Sequence, residues 1–116
     1  RVSDKIKVVI ADATKPIEVL NAVLAANDGK EVDIAINCVN VQNTEMSTIL
    51  PVKDLGIAYF FSMATSFTKA ALGAEGVGKD VTMIVGNGYT KDHAAITLEE
   101  LRESAVLREI FNELYV

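Results

Sequence analysis

Val32-Asp33-Ile34-Ala35-Ile36-Asn37-Cys38 decides the fold class of this chain. The run is mostly apolar, with Val32, Ile34, Ala35, Ile36 and Cys38, and Asp33 stands near its entry. It therefore predicts a strand buried on both faces, in the centre of a parallel sheet. Upstream, Ile17, Leu20, Val23 and Leu24 recur at three- and four-residue intervals and share one helical face. Pro16 falls in the first turn, where its missing N–H costs nothing, Thr14 is a candidate N-cap, and Asn27-Asp28-Gly29 stops the helix. Three further runs read as strands: Lys7-Val8-Val9-Ile10-Ala11, Ile57-Ala58-Tyr59-Phe60-Phe61 and Val81-Thr82-Met83-Ile84-Val85. Strands alternating with helices predict an α/β fold, a parallel sheet of about four strands with flanking helices.

The connections fill in the order. Asn43 to Leu50 opens with capping residues and stops before Pro51, so a brief helix is expected there, and Lys53-Asp54-Leu55-Gly56 reads as a turn. Phe67 to Leu72 starts a helix that Gly73, Gly76 and Gly78 weaken. Thr97 with Glu100 has capping-box spacing, and Leu98, Leu101, Ala105, Leu107, Phe111 and Leu114 form an apolar stripe, which predicts one long helix. Neither a repeat nor a low-complexity linker divides the chain.

With 116 residues, half of them apolar and 23% charged, the chain has the composition of one globular core and not of a disordered tail. A net charge of −5 without a Lys/Arg cluster gives no electrostatic footprint for nucleic acid or an anionic membrane. No apolar stretch reaches the roughly 18 to 20 residues that span a bilayer. A single cysteine, Cys38, provides neither a disulfide framework nor a zinc thiolate set, which fits a reducing, cytoplasmic setting. Because residue 1 is Arg and not Met, the chain is expected to be a piece of a larger protein.

In an open parallel sheet, ligands bind beyond the carboxyl ends of the strands. Those positions are Asp12-Ala13-Thr14, Cys38-Val39-Asn40-Val41, Ser62-Met63-Ala64 and Gly86-Asn87-Gly88, all small, apolar or amide-bearing. Asp12 suits a hydrogen bond to a nucleoside or, equally, a turn. His93, before a helix, reads as a capping or solvated residue in preference to a base, and Cys38 as a buried inert thiol in preference to a nucleophile. Glu75 and the carboxylates of the last helix read as solvated surface, and no metal site emerges. The phosphate-cradling G-x-G-x-x-G is absent, since Gly73-x-x-Gly76-x-Gly78 has the wrong order and follows no strand.

Pro16-Ile17-Glu18-Val19-Leu20, Asp28-Gly29 and Val32-Asp33 resemble the helix, glycine turn and strand in the second half of the cofactor domain of the medium-chain dehydrogenase/reductase superfamily. Asn37 to Asn40, Thr44-Glu45-Met46, Tyr59 to Phe67, Ala74 to Asp80 and Gly86 to Tyr89 are similar to a branch of it that oxidises a diamino acid in anaerobic lysine fermentation. The resemblance implies a partial Rossmann-type sheet, with residues 1–116 forming the C-terminal part of a dinucleotide-binding domain. It implies NAD or NADP as cofactor, and a small amino-acid-like substrate that the full-length parent deaminates oxidatively to a keto acid. By the same resemblance Cys38, Val39 and Asn40 match the turn flanking the adenosine ribose, though Asn40 stands where glycine is common. Phe61, Ser62 and Met63, with Gly86 and Asn87, match segments near the nicotinamide. Catalytic residues, any zinc ligands and the glycine-rich turn would precede Arg1, so none is assigned here and the isolated chain is expected to be inactive. The Val81 strand would lie at a sheet edge and pair with its twin in a homo-oligomer. The competing reading is a non-catalytic α/β nucleotide-binding or assembly module.

Overall fold

In the computed structural model, which describes residues 4–116, β-branched and aromatic runs pair side by side in one direction. The elements are α1 (Pro16–Ala26), β1 (Val32–Asn37), α2 (Glu45–Ile49), β2 (Val52–Phe60), α3 (Phe67–Gly76), β3 (Thr82–Val85), α4 (His93–Glu103) and α5 (Ala105–Tyr115). All pairing is parallel, in the order β1-β2-β3. Ile34 to Asn37 match Ile57 to Phe60, which match Thr82 to Val85. Among the described residues, backbone contacts gather into two units, Val8–Gly86 and Asn87–Val116 with residues 4–7.

Within the first unit, alternate strand positions face α2 and α3. Phe60, Ala58 and Ile49 are almost wholly buried with Ala70 and Ala74, and Met46, Val81 and Met83 pack around them. Burying Phe60 contributes roughly 2–3 kcal/mol. The helices approach closely at Gly73, where a Cβ would run into Met46 Sδ. That close approach is why Gly73 sits inside α3 instead of ending it. At the opposite end of the sheet Lys79 Nζ pairs with Glu31 and donates to Leu50 O (2.8 Å) and to Val52 O, tying the entry to β3 to the starts of β1 and β2.

Several expectations are corrected. Among the described residues the sheet has three strands, not four, because residues 7–11 form no strand; Val8 and Ile10 are 85% and 96% exposed. A strand exists only where a neighbouring strand accepts its backbone bonds. β1 begins at Val32 as predicted but ends at Asn37, one residue short of Cys38, and lies at an edge, with Ile34 and Ile36 exposed. β2 begins earlier than predicted: Lys53 to Gly56 bulge within the strand. Leu55 takes φ 64°, its N–H donates to Asp80 O (2.6 Å), and the β1 register slips between Val32 and Ile34.

The second unit also departs from expectation. The predicted single helix is two, broken at Ser104, whose side chain accepts from Leu107 N (3.3 Å) as the N-cap of α5. Thr97 lies inside α4 with its hydroxyl donating to His93 O (2.9 Å), so it is no cap. A capping-box spacing has meaning only where the threonine backbone leaves the helical region, and here the residue that does so is Ser104, at ψ 109°.

Candidate functional site

The register sets Asn37, Phe60 and Val85 in one row, so the chain leaves all three strands at the same end. Phe61 N and Ser62 N both donate to Asn37 O (3.0 and 3.2 Å), and Gly86 N donates to Phe60 O (2.9 Å). Cys38 to Val41, Phe61 to Ala64 and Gly86 therefore gather along one rim.

One buried side chain shapes the first loop. Asn37 is 4% exposed; its Nδ2 donates to Thr44 Oγ1 and Thr48 Oγ1 (2.9 Å each), and its Oδ1 accepts from Val39 N (2.9 Å). The loop is folded back on α2, which Asn43 enters at φ 63°. Val39 N is thereby spent inside the protein, while the Val39 side chain and the Cys38 thiol face outward. Cys38 is thus exposed, contrary to the buried thiol expected, because it lies one residue past the end of β1.

A second buried polar group shapes the next loop. Glu45 Oε1 accepts from Ser66 N (2.7 Å), and Ser66 in turn caps α3 by accepting from Lys69 N (3.3 Å). Lys69 Nζ donates to Asn43 Oδ1, joining the two loops. Between them lies a cavity of about 410 Å3 lined by Asn43, Glu45, Met63, Thr65, Ser66 and Lys69 among others. Ser62 Oγ accepts from Ala64 N (3.1 Å), and a hydroxyl that accepts can still donate. Met63, 93% exposed, projects from this loop.

At the third strand end, a Cβ on Gly86 would lie 2.5 Å from Tyr59 Oη and 2.7 Å from the Phe61 ring. Tyr59 and Phe61 stack with ring centroids 6.4 Å apart. Glycine is required there by a close approach of rings to backbone. Asn87 opens the other unit, where its Oδ1 accepts from Tyr89 N (2.8 Å).

The structure thus brings Cys38, Val39 and Asn40 to the same rim as Phe61, Ser62, Met63 and Gly86. Asp12 is occupied in a turn: Thr14 Oγ1 (2.7 Å) and Thr14 N (2.9 Å) donate to its Oδ1, which holds its carboxyl below the ordinary 3.8. His93 Nδ1 lies 2.6 Å from Thr90 O at the start of α4, a local contact of the second unit. Thr44, Glu45 and Thr48 were missed by sequence reasoning. Their partners are seven to 21 residues away across a loop, so no local spacing marks them. Among the described residues no group of three His, Cys, Asp or Glu could hold a metal ion, and no helix is long and apolar enough to cross a membrane. What the rim offers is a set of exposed apolar tips beside hydroxyl and amide groups, a surface suited to holding a ligand with flat rings and sugar hydroxyls.

No family model matches the chain. Two curated proteins are similar to it, both named L-erythro-3,5-diaminohexanoate dehydrogenase. One, from Fusobacterium nucleatum subsp. nucleatum, is 85% identical over all 116 residues, which cover 34% of that protein. The other, from Acetoanaerobium sticklandii, is 68% identical over 109 residues, 94% of this chain and 32% of the relative. The chain therefore spans about a third of the length of the curated relatives it matches.

Proposed function

We propose that this chain is part of an NAD(P)-dependent dehydrogenase that oxidises a diamino acid of the L-erythro-3,5-diaminohexanoate type. The product would be 5-amino-3-oxohexanoate, with release of ammonia. One observation carries the reading: the 85% identity runs over the whole chain, site loops included. Oxidation at the amine-bearing carbon requires a hydride acceptor, which a nicotinamide dinucleotide supplies when bound.

The rim fits such a group. Val39, Phe61 and Met63 expose apolar surface against which rings can pack, and the Ser62 hydroxyl stands beside them as a donor. In this reading Cys38, Val39 and Asn40 hold the ribose side, while Phe61, Ser62, Met63, Gly86 and Asn87 hold the nicotinamide side. Their task is to position the cofactor and keep water from its reacting face. No residue of this chain is assigned proton transfer, so the acid–base chemistry belongs to other parts of the whole protein. Residues 1–116 would be the C-terminal part of a Rossmann-type dinucleotide-binding domain of the medium-chain dehydrogenase/reductase superfamily, in a cytoplasmic homo-oligomer serving lysine degradation.

The test is an assay of the full-length protein with L-erythro-3,5-diaminohexanoate and either NAD+ or NADP+. Dinucleotide reduction with ammonia release in equal amounts is expected. Absence of turnover together with absence of dinucleotide binding would leave only the non-catalytic module.

A further inference from the structure

We infer that the cavity of about 410 Å3 between the first two rim loops binds the charged end of an amino-acid ligand, with Glu45 receiving an ammonium group and Lys69 a carboxylate. Identifying that ligand with the diamino acid substrate rests on the dehydrogenase reading, whereas the charge pattern stands apart from it.

Glu45 is 3% exposed, and a carboxylate taken out of water is tolerated only when hydrogen bonds or a cation replace its hydration. The fold supplies one bond, from Ser66 N to Oε1, and no ion pair among the described residues. Oε2 accepts no hydrogen bond from the described residues, yet it is not one of the unpartnered atoms sealed from solvent, so it keeps accessible surface. An ammonium group in the space that Glu45 lines would supply both the missing charge and a donor.

Lys69 is the matching cation. It stands in the first turn of α3, where a positive charge opposes the helix dipole, so the helix itself gains nothing from it. Its Nζ bonds a neutral group, Asn43 Oδ1, and makes no ion pair with Glu45, although both residues line the same cavity. Opposite charges that share one space without neutralising each other match a ligand carrying both signs. A carboxylate beside Lys69 would also meet the positive end of α3. The volume lies within the range of small-molecule sites, and Met63 belongs to both the cavity wall and the exposed rim.

Calorimetric binding to the full-length protein tests this with 3-aminobutanoate, which carries both charges, beside butanoate, which lacks the ammonium, and 2-aminopropane, which lacks the carboxylate. The wild type is expected to bind 3-aminobutanoate at least about tenfold more tightly than either, the size of one hydrogen bond to a charged group. Glu45→Gln keeps an acceptor for Ser66 N and is expected to abolish only the preference over butanoate. Lys69→Met, at an exposed position that folding tolerates, is expected to abolish only the preference over 2-aminopropane. A merely structural role would lower Tm and leave both preferences in place. A wild type without these preferences, or a folded variant that keeps them, would overturn the inference. Turnover of L-erythro-3,5-diaminohexanoate is scored separately: turnover with unaltered preferences removes the amino-acid site and leaves the dehydrogenase, and preferences lost as expected without turnover do the reverse.

Discussion

Asn37 and Gly86 show how single positions hold the rim. Replacing Asn37 by Leu keeps the branched shape in a somewhat larger side chain but strands Val39 N and removes the donor to two threonine hydroxyls beneath the loop. A loss of about 2–4 kcal/mol is expected, read from the urea midpoint. Gly86→Ala places a Cβ against the Tyr59 and Phe61 rings and is expected to cost about 1–3 kcal/mol, read as a lower Tm. Asp12 adds a pH dependence. Its pKa is depressed by bonds from the Thr14 hydroxyl and amide, so its contribution is present above pH 3.8 and is lost as pH falls through the lower folded value. The Thr14 amide shift in an NMR titration should report that loss below pH 3.8.

Among the elements, the helix pair of the second unit separates sequence pattern from actual capping. Ser104→Ala removes the side chain that accepts from Leu107 N and should destabilise α5 by about 1 kcal/mol, with Asp at this position restoring it. Thr97→Ala removes only a bond to the preceding turn, so it should leave stability unchanged or slightly raised. Circular dichroism through a urea titration of both variants distinguishes them. Had Thr97 been the cap, the order would be reversed. Apolar periodicity was legible in the sequence over this whole stretch, but the break was not, since Ser104 is one polar residue in a pattern that continues past it.

For the whole molecule, the relevant quantity is apolar surface left open. Ile34, Ile36, Val8 and Ile10 are exposed, and β1 offers an unpaired edge. Surface of this kind drives association between chains. The 116-residue chain by itself is therefore expected to self-associate, its light-scattering mass rising above the monomer value across a concentration series. A constant monomer mass would show that the edge is tolerated in water. The direction of the strands, and with it the placing of the rim loops at one end, was legible because alternating runs of strand and helix leave few arrangements. The cavity between those loops was not. It depends on Glu45 reaching Ser66 and Lys69 reaching Asn43, contacts between residues 21 and 26 positions apart.

By itself the sequence determined what local chemistry dictates: the α/β class, the common direction of the strands, the helix beginning at Pro16, and the loops that follow the strand ends. Tertiary structure alone decided how many strands pair, that β1 stands at an edge, that Cys38 faces outward, and that Asn37 and Glu45 shape the rim. The physical reason is range. Periodicity and turn chemistry act within a few neighbours along the chain, whereas a strand's place in a sheet and a buried side chain's partners depend on segments far away in sequence.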